Sequence, residues 1–276
     1  MSQKKMFAIS VVLFLLIFSI PFMATSQLRI VCIGNSITQG KNEPRPDSSF
    51  EFSYRPWLWK KLIENGFAVD MVGFHPYFFG EKAGSICMEF THNGIRFDRD
   101  CEAYYGITST AFFNGSPSSG WTGKPLPKFS DRINDSVRGY TPDIALMHIG
   151  TNDADSIPAL VGKTKENIRE IISVLRAKNP FVTVFLAKLI TGWKKINSEI
   201  EGLCIELSTE QSKIVMVDLT SGFINKPTDE GNMTYDYVHP NKRGQLFMME
   251  RWYHAITHNL QQDKAPLLNG KLNKRN

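Results

Sequence analysis

Short, nearly continuous apolar runs alternate with stretches of helical spacing along most of this chain, and that alternation restricts its fold more than any other feature. Leu28 to Ile33 is a β-prone run that stops at Gly34, and Trp57-Leu58-Trp59-Lys60-Lys61-Leu62-Ile63 then repeats with helical spacing up to Gly66. Further strands are expected at Phe67 to Val72, Asp143 to Ile149, Phe181 to Leu189 and Lys213 to Leu219. Helices are expected at about 157–178 and 195–211, and a last one from about Lys242 to Leu260. Strands that are apolar on both faces must be covered on both, so this order gives a parallel sheet between helical layers.

Composition supports a globular chain: 42% of the 276 residues are hydrophobic and 21% charged, which excludes disorder, collagen and coiled coil. The stretch from about 74 to 140 breaks the alternation, being rich in Gly, Pro, Ser and Asn and studded with aromatics such as Tyr77, Phe79, Tyr105 and Trp121. It reads as an elaborated loop region that decorates the sheet and walls a cleft.

The two ends read differently from the body. Lys4 and Lys5 precede an apolar run from Phe7 to Met23, and Ala24-Thr25-Ser26 supplies small residues for cleavage, so residues 1–26 read as a secretory signal peptide. An uncleaved membrane anchor is the competing reading. With that segment removed, the folded body is expected over 27–262 and a flexible basic tail over 263–276. The formal charge of +5 sits at the ends: the leader holds two lysines and no acid, and the tail holds four basic residues against Asp263. A neutral body speaks against a nucleic-acid groove. Export to a secreted or periplasmic location, with no stable membrane association after cleavage, would permit a Cys87–Cys101 disulfide. Cys32, in a strand, and Cys204, in a helix, read as buried free thiols.

The polar clusters fall at one kind of place. The first strand runs out into Gly34-Asn35-Ser36-Ile37-Thr38, the third into Gly150-Thr151-Asn152-Asp153, and the segment after the fifth into Asp236-Tyr237-Val238-His239-Pro240-Asn241. In a parallel α/β sheet those ends share one edge, where such folds bind ligands. One Ser, one Asn, one Asp and one His would thereby meet, and these types suit acyl transfer. A serine hydroxyl needs a base to take its proton, and histidine suits that task near neutral pH. Asp236 can fold back onto the Nδ1 side of His239, leaving Nε2 to face Ser36. Asn152, the Ser36 amide and a loop glycine amide could meet developing oxyanion charge. Each residue also has a plain reading: Ser36 as a helix cap, Asn152 and Asp153 as turn residues, His239 as a surface histidine. His148, inside the third strand, reads as a packed histidine. Trp57, Trp59 and the loop aromatics fit either a core or a sugar-stacking surface.

Those three blocks, in that order, resemble blocks one, three and five of the SGNH hydrolases, also called GDSL esterases. Ser53-Tyr54-Arg55-Pro56-Trp57-Leu58-Trp59 resembles the first-helix entry of the secreted carbohydrate esterase branch, the group containing acetylxylan esterases. The resemblance implies a three-layer α/β/α sandwich with a flavodoxin-like central parallel sheet. It implies Ser36 as nucleophile, His239 as base, Asp236 as its orienter, and Ser36, a block-two glycine and Asn152 as oxyanion hole. Asn35 stands where the family usually has Asp, which should change turn bonding and not chemistry. For block two, Asp100-Cys101-Glu102-Ala103-Tyr104-Tyr105-Gly106-Ile107-Thr108 resembles the branch pattern D-H-E-G-H-x-G-W-T, and Ser119-Gly120-Trp121-Thr122 imitates its end. Gly106 is favoured over Gly120 as the oxyanion donor. The expected function is a secreted serine esterase that removes short acyl groups, acetyl above all, from a carbohydrate or another small ester. A lipid-directed esterase, lysophospholipase or thioesterase, and a non-catalytic polysaccharide-binding protein on the same fold, are the rivals. No metal-site spacing occurs and a serine mechanism needs no cofactor, so none is expected.

Overall fold

A computed structural model describes residues 27–41, 53–79, 90–117 and 124–272, with side chains to 262. The expected leader, Cys87 and Gly120 lie outside the described residues. In chain order the elements are β1 (Leu28–Gly34), α1 (Ser36–Gln39), α2 (Arg55–Glu64), β2 (Val69–Val72), β3 (Thr91–His92), β4 (Ile95–Arg96), β5 (Glu102–Ala103), α3 (Ser109–Asn114) and α4 (Phe129–Ile133). They continue as β6 (Ile144–His148), α5 (Pro158–Lys178), β7 (Thr183–Ala187), α6 (Lys194–Leu207), β8 (Ile214–Val217) and α7 (Lys242–Leu272).

The main sheet has the order β2-β1-β6-β7-β8, and each neighbouring pair is parallel. Alternate residues of each central strand go to opposite faces, as the period of two requires. Val31, Ile33, Ala145, Met147, Val184 and Leu186 pack with Ile168 and Ile171 of α5 and Ile196 and Ile200 of α6. Ile30, Cys32, Leu146 and Phe185 pack with Leu58 and Leu62 of α2 and Met248 and Trp252 of α7. Burial on both faces explains why the strands read as unbroken apolar runs, and the three-layer α/β/α sandwich is the one expected. The chain winds from β1 outward to β2, then crosses back to β6 on the other side of β1. The carboxyl ends of β1 and β6, paired at Gly34 and His148, therefore flank the point where the winding reverses, and the crevice of such a sheet lies there.

The 74–140 region does more than decorate. β2 stops pairing with β1 at Val31 and Val72, and β5 takes over the same edge, with Ile33 opposite Glu102 and Gly34 opposite Ala103. Gly73 permits this handover, because a Cβ there would lie 2.4 Å from the Cys101 Cα. A two-residue strand has no period to read, which is why sequence pattern missed it. Beneath it, Glu102 and Arg132 form an ion pair at 2.9 Å with both side chains fully buried. The Tyr104 hydroxyl donates to the same carboxylate oxygen at 3.1 Å. Arg132 also donates to the Pro127 and Phe112 carbonyls and lies over the Tyr104, Phe112 and Phe129 rings.

At the other end, α7 runs past its expected stop at Leu260 to Leu272. The polar stretch from Gln261 to Ala265 consists largely of good helix formers, and polarity alone does not end a helix. Cys32, Cys101 and Cys204 are buried free thiols. Burial pushes Cys32 up to about 12 and Cys101 and Cys204 up to about 11, so none is a reactive thiolate. No helix among the described residues is long and apolar enough to cross a membrane.

Candidate active site

Ser36 opens α1 directly after β1. Its cap is the neighbouring Asn35, whose side-chain oxygen accepts from the Ile37 amide at 3.1 Å. Asn35 thus caps the turn, and the Ser36 hydroxyl is left free of capping duty. The carbonyl end of this single turn is held from outside. Arg55, fully buried, donates to the Thr38 carbonyl at 2.8 Å, the Gln39 carbonyl at 3.0 Å and the Arg99 carbonyl at 2.7 Å. Its guanidinium lies over the Phe78 and Phe97 rings. A buried arginine spending its donors on carbonyls fixes the helix that carries Ser36. No local sequence signal announces this role, although Arg55 stood inside the motif quoted above.

His239 reaches Ser36 across 203 residues of chain, its Nε2 lying 3.0 Å from Ser36 Oγ. Its Nδ1 lies 2.7 Å from Asp236 Oδ2, while Asp236 Oδ1 accepts from the His239 and Val238 amides at 2.7 and 3.1 Å. A carboxylate at Nδ1 assigns the ring proton to that nitrogen and leaves the Nε2 lone pair facing the serine hydroxyl. Partial burial pushes the Asp236 carboxyl up, but the bonds from the His239 backbone and ring outweigh it and hold the group below its ordinary range. It therefore stays ionised near neutral pH. The next residues anchor the turn: the Asn241 side-chain oxygen accepts from the Gly244 amide at 3.1 Å and starts α7.

An aromatic stack supports the imidazole. Tyr105 lies parallel to the His239 ring with centroids 5.7 Å apart, and Phe79 lies on Tyr105 at 3.9 Å. The buried Gln39, on the Ser36 helix, accepts from the Tyr105 amide at 2.7 Å and donates to the Tyr77 carbonyl at 3.2 Å. The aromatics thus divide: Trp59 of α2 is core, with 2% exposure, and Phe79 and Tyr105 of the loop region wall the site.

Block two and block three are pinned together. The Asn152 side-chain amide donates to the Ile107 carbonyl at 2.8 Å, and Asp153 accepts from the Ser109 amide at 3.0 Å and the Thr164 hydroxyl at 2.9 Å. Asp153 is therefore a turn-fixing residue, while Asn152 keeps a second N–H. Gly106, one residue before Ile107, has φ +72° and an exposed position. No hydrogen bond among the described residues uses the backbone N–H of Ser36 or of Gly106. His148 is packed as expected: it is buried, accepts from the Ile190 amide at 3.4 Å, and burial pushes it down to about 4, so it is neutral. His75, likewise pushed to about 4 by burial, bonds to the Ala103 carbonyl under block two. Among the described residues no group of three His, Cys, Asp or Glu side chains could hold a metal ion.

The strand order, with polar clusters at its reversal point, defines the class of fold: a three-layer α/β/α sandwich around a parallel sheet. The model of the GDSL-like lipase/acylhydrolase family matches residues 111–246. The chain is 26% identical over 261 residues to a multidomain esterase of Ruminococcus flavefaciens, covering 88% of this chain and 30% of that protein. The chain thus spans under a third of that relative's length. Among solved structures, it resembles a family 3 carbohydrate esterase of Talaromyces cellulolyticus (TM-score 0.60, 20% identity, covering 86% of this chain and 99% of the other). It also resembles an S10A acetyl esterase mutant with acetate ion (TM-score 0.59, 19% identity, covering 86% of this chain and 99% of the other). At these identities the structural likeness speaks for the fold alone.

Proposed function

We propose that this chain is a secreted serine esterase that removes short acyl groups, acetyl foremost, from carbohydrates. The observation that carries the reading is the continuous hydrogen-bonded line from Asp236 through His239 to Ser36. In the proposed reaction Ser36 Oγ attacks the ester carbonyl carbon while its proton passes to His239 Nε2. The carbonyl oxygen takes the negative charge, and the unbonded N–H groups of Ser36 and Gly106 with the second N–H of Asn152 are its donors. Collapse breaks the bond to the sugar oxygen, which takes the proton from His239 and leaves an acyl-serine. Water then repeats the sequence, giving the free acid and regenerated Ser36. The ionised Asp236 carboxylate stabilises the imidazolium in both halves. The carbohydrate and acetyl specificity rests on the sequence resemblance and on the likeness to a multidomain esterase, a family 3 carbohydrate esterase and an acetyl esterase.

Two results test this reading. Acetate release from acetylated xylo-oligosaccharides should exceed hydrolysis of long-chain lipid esters at equal enzyme; a preference for the lipid esters would replace the carbohydrate assignment with a lipid-directed one. Asn152→Ala should lower kcat by about 10² to 10³, the usual loss of one oxyanion donor. Unchanged kcat would remove Asn152 from that role.

A further inference from the structure

The turn carrying Asp236 and His239 holds a tyrosine where its backbone favours glycine. Tyr237 has φ +69°, in the left-handed region where a Cβ crowds the following carbonyl. The turn's own bonds impose that conformation, since Asp236 Oδ1 takes the amides of both Val238 and His239. The other described non-glycine residues with positive φ, Ser53 and Asn93, are small. The Tyr237 side chain faces solvent more than core: the residue is 55% exposed, and its ring makes no hydrogen bond or ring contact among the described residues. A bulky, largely exposed ring at a left-handed position points to a role outside the fold. Its place narrows the choice. Tyr237 is two residues from His239, the group that hands a proton to the departing alcohol, so the leaving group approaches beside this turn.

We infer that Tyr237 is a platform on which the sugar ring of the acylated carbohydrate stacks, a specificity-determining residue outside the acyl-transfer machinery. The C–H face of a pyranose is apolar and suits the face of an exposed aromatic ring. The inference rests on the carbohydrate esterase reading above. The test compares wild type, Tyr237→Gly and Tyr237→Phe on acetylated xylobiose and on ethyl acetate, an acetyl ester without a ring, together with Tm. In Tyr237→Gly the ratio of kcat/KM for acetylated xylobiose over ethyl acetate should fall about tenfold, mainly through KM, the change expected from one lost stacking contact. The Tm should hold or rise, because glycine relieves the left-handed strain. Tyr237→Phe, which keeps the ring, should retain the ratio. A wild-type enzyme that cleaves acetylated xylobiose, paired with an unchanged ratio in Tyr237→Gly, would overturn the platform alone. A wild type that cleaves ethyl acetate and not acetylated xylobiose would overturn the carbohydrate reading, and the platform with it.

Discussion

Ser36→Ala is expected to lower kcat for ester hydrolysis by at least about 10⁴, leaving only what binding and oxyanion donors supply. The size follows from the geometry: Ser36 Oγ is the group that His239 Nε2 faces at 3.0 Å, and alanine deletes the proposed nucleophile without disturbing the proposed base. The fold should survive, because the cap of α1 is Asn35 and the carbonyl end of that helix is held by Arg55. Turnover of p-nitrophenyl acetate, measured alongside circular dichroism, separates the two effects. Wild-type turnover in a folded variant would move the nucleophile elsewhere.

The largest stability effect should come from Glu102→Ala. Arg132 would then be buried with its charge uncompensated, retaining only the Pro127 and Phe112 carbonyls and three aromatic faces. Breaking a buried pair by removing one partner costs about 3–5 kcal/mol, which at this chain length corresponds to a Tm lower by roughly 10 °C. Activity should fall as well, since Glu102 lies at the head of the turn that carries Tyr105 and Gly106. Glu102→Gln keeps an acceptor for the guanidinium and should lose less. Thermal unfolding monitored by circular dichroism checks the order; equal Tm values for wild type and Glu102→Ala would contradict a stabilising role for the pair.

What could be read from sequence depended on whether a contact leaves a local period. β6, β7 and β8 lie within the expected runs, and β1 exceeds its own by one residue, Gly34, because strands buried on both faces are apolar at most positions. The meeting of Ser36, Asp236 and His239 was legible because all three clusters follow strands of one parallel sheet, where direction alone collects them on one edge. Contacts made between loops left no such trace. Arg132 meets Glu102 across 30 positions of chain, and Arg55 seeks carbonyls, which every residue has. The Phe79, Tyr105 and His239 stack joins three unrelated segments, so Tyr105 appeared only as one aromatic among many. Gly106 was named from the block pattern, and its unbonded amide is a property of the folded turn.

The identity of the activated hydroxyl is the claim on which the mechanism depends, and covalent capture tests it most directly. A fluorophosphonate ester, whose phosphorus bonds to a serine oxygen as a neighbouring base takes the proton and fluoride departs, should inactivate the protein with one equivalent bound. Mass spectrometry of the digested protein should place the adduct on the peptide containing Ser36, with no adduct on Ser36→Ala. Full inactivation with the adduct on another residue, or labelling of Ser36→Ala at the wild-type rate, would contradict the account.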